Sequence, residues 1–192
     1  MRKPNYKPLH AGQVLREFAK CFKDKELRSR YPYAMIERDT IIATDSHVIL
    51  KYQHHMPIID GTAYVKLDHA AQFSSKDDLI LDGEYLQGTA SGLIIPAHRE
   101  PVKLFDSVKN LFSQEQLRFI NGPEPVNYFW ISSELLSNVV GAFDRLGFDD
   151  AELHFNTSSR PMTIGAVRNY RQSGSNVTAV LEAMIDYRRR NN

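Results

Sequence analysis

The spacing of apolar residues predicts two amphipathic helices, one near each end of the chain. Over residues 11 to 27, apolar side chains recur at three- and four-residue intervals, which place them on one helical face. They are Val14, Leu15, Phe18, Ala19 and Phe22. Residues 132 to 146 repeat the spacing 121 positions further along, with Leu135, Leu136, Val139, Val140 and Phe143.

Short β-type segments surround both helices and give the two ends the same order of elements. The segments are rich in β-branched and aromatic residues and are separated by polar turns. After the first helix they are residues 33–37, 40–44 and 47–52, and after the second they are 151–155, 161–167 and 177–185. A strand is also predicted before each helix, at 6–9 and 126–131. Both ends therefore read as β-α-β-β-β units, which predicts an α+β fold.

The middle of the chain resembles a worn third copy of this unit. Its segments are a strand at 63–67, a short helical turn at 68–73, a hairpin pair at 78–85 and 91–95, and a helical pattern at 102–112. We therefore predict two modules, residues 1–115 and 116–192.

The most informative motif is Ala43-Thr44-Asp45-Ser46-His47-Val48-Ile49-Leu50, which reads as strand, polar turn and strand. It resembles the Ala-Thr-Asp-Gly-His-Arg-Leu signature of bacterial DNA sliding clamps, the β-subunit-like processivity factors of DNA polymerase III. Ser46 stands where that family has Gly, and Val48 where it has Arg. The wording at residues 160–164 and the last strand are similar to the family's closing unit.

The resemblance implies a DNA clamp-like fold built from repeated β-α-β-β-β units, with helices on one face of antiparallel sheets. It implies a non-enzymatic processivity or DNA-tethering factor that holds double-stranded DNA without reading its sequence. The chain is about half as long as a bacterial clamp subunit, so a ring needs several copies and a homo-oligomer is expected. This size suits a phage or mobile-element homologue. The alternative is an interaction or regulatory protein that keeps the fold without encircling DNA.

Composition says more about where the protein is located than about what it does. The formal net charge is +1, so only local clustering of charge could favour nucleic acid. The single cysteine, Cys21, excludes an internal disulfide and favours a reducing cytoplasmic location. The sequence has neither the apolar run of a signal peptide nor that of a membrane span, so no membrane partner is expected.

The candidate DNA-binding residues are Arg16, Lys20 and Lys23, which form one basic stripe opposite the apolar face of the first helix. In a clamp-like pore such a stripe contacts phosphates. The alternative is an ordinary solvated face, because Glu17, Asp24 and Glu26 are interleaved with the cations.

The resemblance also implies a pocket for short peptide motifs of DNA polymerase or other replication proteins. Its residues would be Thr44, Ser46, His47, Val48 and Ile49. A hairpin rim with small polar groups beside an aliphatic side chain can anchor an apolar peptide residue. The alternative is a plain β-turn in which Asp45 and Ser46 cap the backbone.

Catalytic and metal-binding readings find less support in the residues. Adjacent Asp45, Ser46 and His47 point alternately to opposite faces of a strand, so they cannot assemble a catalytic triad. A metal-dependent enzyme using Asp45 and His47 with His54 and His55 lacks the usual ligand spacings. We therefore assign no catalytic residue, no metal ligand and no cofactor.

Overall fold

The computed structural model describes residues 9–22, 33–44, 48–54, 56–99, 105–106, 108, 133–148, 152–154, 162–168 and 175–181. The helices are α1 (Ala11–Cys21), α2 (Leu67–Ala70) and α3 (Ser133–Arg145). The strands are β1 (Tyr33–Ile36), β2 (Thr40–Thr44), β3 (Val48–Gln53), β4 (Ala63–Lys66), β5 (Leu79–Asp82), β6 (Tyr85–Gly88), β7 (Ile94–Pro96), β8 (Glu152–His154), β9 (Met162–Arg168) and β10 (Ser175–Leu181).

These elements confirm the predicted α+β fold class. The strands predicted on described residues are present within a few positions of their expected ends. The predicted pairing of 78–85 with 91–95 is wrong, because β6, which was not predicted, lies between β5 and β7 and pairs with both. The predicted strand at 126–131 lies outside the described residues, as does nearly all of the one at 6–9 and residues 23–27 of the first helix. Of the helical pattern at 102–112, the described residues 105, 106 and 108 are helical.

A seven-stranded antiparallel sheet joins the two ends of the chain. Its strand order is β4-β1-β2-β3-β10-β9-β8, and a separate three-stranded sheet has the order β5-β6-β7. The join is made by β3 and β10, which pair Val48–Gln53 with Asn176–Leu181. Strands from both predicted modules thus share one sheet, and the division at residue 115 stays a prediction.

Side chains of β3 alternate between the two faces of this sheet, as the period of a strand requires. Val48, Leu50 and Tyr52 are buried on the side where α1 and α3 pack, which we call the helix face. On the opposite side, the outer face, a second cluster joins strand residues to a later segment. Its buried members are Met35, Ile42, Tyr64, Phe105 and Val108.

The two helices bury different widths of surface, which corrects one sequence-based expectation. The five apolar positions predicted for the first helix are all buried, four within α1 and Phe22 directly after it. The second stripe runs through Val139, Ala142 and Phe143 of α3 to Leu146 directly after it, and Val140 is 42% exposed. Helix α1 contacts α2, α3 and the sheet, whereas α3 contacts α1 and the sheet, so a narrower arc of α3 is covered.

Helix α3 ends in a Schellman motif. Gly147 has φ +79°, a left-handed conformation that costs glycine little. Its N–H donates to Asp144 O (2.8 Å), and the Phe148 N–H donates to Phe143 O (2.9 Å). The rings of Phe148 and Phe143 then pack together, 6.3 Å apart. This cap fixes where the helix stops and so places Arg145 in its last turn.

The start of α1 is held by the loop around Asp77. The Gly12 N–H donates to Asp77 O at 2.9 Å. The Asp77 side chain has no exposed surface, and its Oδ1 accepts the N–H groups of Ala90 (2.9 Å) and Ser91 (2.7 Å). Its Oδ2 accepts the Ser74 N–H (2.6 Å) and the Ser91 hydroxyl (2.7 Å). One carboxylate therefore links this loop to the turn between β6 and β7.

Candidate nucleic-acid interface

Helices α1 and α3 lie antiparallel on the helix face. Near one end of the pair, Gln13 Nε2 donates to Arg145 O at 3.2 Å. Near the other, Cys21 Sγ donates to Asn138 O at 3.2 Å. These contacts join the start of each helix to the later part of its neighbour.

An open groove of about 830 Å³ runs along this pair of helices. Ala19, Ser137 and Gly141 line it, and their short side chains leave the space between the two helices open. Three cationic side chains also line it: Arg16, Lys20 and Arg145. The groove is therefore lined by three positive charges, which is the sign of charge that attracts phosphate.

The structure brings together two of the three predicted DNA-binding residues. Arg16 is half-buried, the Lys20 side chain is 52% exposed, and both line the groove. Arg16 has no ion-pair partner within the described part of the chain. Lys23 lies outside the described residues. The prediction that these residues bind DNA is not tested by their positions and stays a prediction.

Sequence reasoning missed the third cation, Arg145, because it belongs to the other helix. It also placed Glu17 on the solvated face, whereas Glu17 is 7% exposed. Lys20 Nζ donates to Glu17 Oε1 at 2.7 Å, and Arg145 Nε donates to Glu17 Oε2. The sequence did contain one signal for this third cation, because Arg145 is a basic residue in the last turn of the second predicted helix.

The environment of Glu17 keeps its carboxylate ionised. Burial raises the pKa of Glu17, but the hydrogen bonds and charges of Lys20 and Arg145 outweigh burial, and the pKa is lowered from its ordinary value. The Glu17 side chain is 9% exposed, whereas the Arg145 side chain is 44% exposed. The carboxylate thus lies beneath cations that themselves reach solvent.

The predicted peptide pocket is divided between the two faces of the sheet. Thr44 and Ile49 are directly opposite each other in the β2–β3 register and share the outer face. Thr44 is buried and donates from Oγ1 to Val48 O at 2.9 Å. The Val48 side chain lies in the core of the helix face, and Ser46 and His47 lie outside the described residues.

Of the four residues in the metal-dependent alternative, only His54 lies within the described residues. Its Nδ1 accepts the N–H of Met56 at 3.0 Å, and its ring lies 6.0 Å from that of Tyr52. Asp45, His47 and His55 fall outside the described residues. Across the described ranges, no three His, Cys, Asp or Glu side chains come together as a metal site. Nor is any described helix long and apolar enough to cross a membrane.

Comparison with known proteins finds similarity of structure alone. No protein-family model matches the chain, and no curated protein matches its sequence. A crystal structure of the DNA polymerase III β subunit from Pseudomonas aeruginosa matches with a TM-score of 0.51 and 12% identity. The match covers 96% of this chain and 68% of that one. At this identity the likeness shows the fold, which is DNA clamp-like as predicted.

Two other solved structures match with lower scores. The β subunit of Streptococcus pyogenes DNA polymerase has a TM-score of 0.46 and 8% identity, over 95% of this chain and 68% of that one. PCNA of A. fulgidus, bound to the C-terminal region of FEN-1, has a TM-score of 0.46 and 10% identity. That match covers 93% of this chain and 98% of PCNA.

Proposed function

We propose that this chain is a non-enzymatic DNA sliding clamp homologue, acting as a polymerase processivity or DNA-tethering factor. The observation that carries the proposal is the antiparallel pair α1 and α3, which presents Arg16, Lys20 and Arg145 in one groove. The clamp-like fold supports it by placing both helices on the same side of a continuous sheet.

The chemistry of the groove suits duplex DNA bound through its backbone. Cationic side chains neutralise phosphates and release counterions, so binding is independent of sequence and weakens steeply with salt. Lys23 continues the stripe of Arg16 and Lys20 in the sequence, and we include it among the contacts. Several copies of this chain would be needed to enclose a duplex, so a homo-oligomer is part of the proposal.

The second part of the proposal concerns partners. The outer face of β2 and β3 carries Thr44 and Ile49, and Ser46 and His47 stand between these strands in the sequence. Ile49 is half-buried against the apolar cluster of the outer face, so its remaining surface could contact an apolar peptide residue. We propose that short peptide motifs of DNA polymerase or other replication proteins bind here.

The test is DNA binding by a charge-reversed variant with a matched control. Wild-type protein should raise the fluorescence anisotropy of a labelled duplex of mixed sequence, and the effect should fade as NaCl is increased. The double variant Arg16→Glu/Lys20→Glu should lose this binding. Lys66→Glu/Lys76→Glu changes the net charge equally at exposed positions outside the groove and should retain it.

The ring is tested separately, by retention on DNA and by light scattering. A protein that encircles DNA should stay on a closed circular plasmid and be released when the plasmid is cut once. Light scattering should give a defined oligomer. Wild-type protein that fails to bind duplex DNA even at the lowest salt would contradict the proposal.

One observation favours the alternative, a clamp-fold interaction protein that does not encircle DNA. Helices α1 and α3 together carry three cationic and three acidic side chains, so the pair is neutral overall. A strict monomer that dissociates equally from circular and linear DNA would support this alternative.

A further inference from the structure

We infer that Glu17 limits the affinity of the groove for DNA by pairing with Lys20 and Arg145 and compensating part of their charge, which leaves Arg16 as the dominant contact. This inference rests on the proposed function and adds a positioning residue to it. Glu17 was not predicted as a functional residue, and it would itself touch no DNA.

The geometry supports a restraint on both cations at once. Each oxygen of the Glu17 carboxylate accepts a hydrogen bond from a different cation, one on each helix. Charge-assisted hydrogen bonds of this kind are about twice as strong as neutral ones. These bonds use one N–H of each cation. A phosphate can still reach the other N–H groups, but it meets cations whose charge the carboxylate already compensates in part.

The position of Arg16 explains why it would dominate. It lies one helical turn before Lys20 on the same side of α1, and it lines the same groove. Within the described residues no carboxylate pairs with it. Its charge is therefore available to a phosphate without the loss of an existing ion pair.

Weak contacts between two of the three cations and phosphate suit a protein that must move along DNA. Two of the three cations keep a partner when DNA is absent, so their contacts with phosphate are weak and exchangeable. A buried carboxylate also acts on them through a less polarisable medium than water and is screened less by salt. Glu17 therefore lowers both the affinity and its dependence on salt.

The experiment is a double-mutant cycle read out as the slope of log K against log [NaCl]. Glu17→Gln should bind duplex DNA on the order of threefold to tenfold more tightly at low salt. Its slope should steepen by about 0.9 for each cation released to a phosphate. Glu84→Gln, which removes an exposed acid from the β5–β6 turn, should leave the slope unchanged.

The partner cations give a second measurement, and its wild-type half does not require Glu17→Gln to fold. In the wild-type background, Arg16→Gln should weaken binding much more than Lys20→Gln or Arg145→Gln. In the Glu17→Gln background, the losses from Lys20→Gln and Arg145→Gln should increase towards that of Arg16→Gln. A merely structural role for Glu17 would change thermal stability without moving the salt slope.

The outcomes separate this inference from the proposed function. Wild-type binding with an unchanged slope in Glu17→Gln would overturn the inference and leave the proposed function standing. Equal losses from Arg16→Gln, Lys20→Gln and Arg145→Gln in the wild-type background would also overturn it. Duplex binding by Glu17→Gln with none by wild-type protein would support the restraint but contradict the proposed function, and binding by neither protein would overturn both proposals.

Discussion

Replacing Asp77 with asparagine should destabilise the protein although it changes the side chain by a single group. Asp77 is fully buried, and its two oxygens accept four hydrogen bonds from Ser74, Ala90 and Ser91. An asparagine of the same shape offers one carbonyl oxygen and one NH₂ group. If the carbonyl keeps the N–H groups of Ala90 and Ser91, the NH₂ group faces the N–H of Ser74, which is then left without an acceptor.

The size of the effect follows from these contacts. A buried donor left without a partner costs about 1–3 kcal/mol, and hydrogen bonds to a charged group exceed neutral ones by about 1 kcal/mol. Part of this is recovered because asparagine needs no charge to be buried. We therefore expect the free energy of unfolding to fall by about 2–3 kcal/mol, a large fraction of the roughly 5–15 kcal/mol typical of a domain.

The effect should also depend on pH, with a definite sign. Burial raises the pKa of Asp77, but hydrogen bonds from Ser91, Ser74 and Ala90 outweigh burial and lower it below its ordinary value. A lowered pKa stabilises the native state above the pKa of the unfolded chain, about 4, and this contribution is lost as the pH falls through the native value. The difference between wild type and Asp77→Asn should therefore shrink below about pH 4.

Urea unfolding followed by circular dichroism measures both the loss of unfolding free energy and its dependence on pH. It should be carried out at neutral pH and in acid, at one protein concentration. Asp82→Asn makes the same charge change at an exposed position of β5 and serves as the control. An Asp77→Asn midpoint equal to that of the control at neutral pH would refute the reasoning, because the four hydrogen bonds would then contribute nothing.

Three glycine-to-alanine substitutions should change the stability of the protein in different directions, and thermal unfolding would measure each change. Gly12→Ala should destabilise strongly, since its Cβ would lie 2.3 Å from Ser74 O; an unchanged melting temperature would contradict this close contact. Gly141→Ala should be neutral or stabilising by up to about 1 kcal/mol, because its Cβ meets only the flexible end of Arg145 and alanine favours a helix interior. Gly147→Ala should cost about 1 kcal/mol because its φ is +79°; a gain in stability there would show that the cap is dispensable.

Most elements of the fold could be predicted from the sequence because they depend on local periodicity, although β6 was not. Strand β2 was predicted at its observed bounds, and α3 within one residue at each end. Partners between strands are a different matter, because alternation fixes which face a residue occupies but not which strand lies beside it. The pairing of β3 with β10 was therefore found only in the structure.

The shared position of two cations could be predicted because they lie on one helix. Arg16 and Lys20 share a face of α1 because of their spacing, and the structure keeps them in one groove. The bond between Glu17 and Arg145 joins residues 128 positions apart, and no local pattern reports such a contact. Val140 was misplaced for a similar reason, because the width of a buried stripe depends on how many neighbours a helix has.

The pairing of β3 with β10 determines when the sheet can be completed during synthesis. Until residues 175–181 have been made, β3 presents a row of unpaired backbone groups along Val48–Gln53. An open edge of this kind is a template for pairing with another chain. Pairing with β10 therefore covers this edge of β3, and a nascent chain should carry the edge exposed from the synthesis of β3 until that of β10.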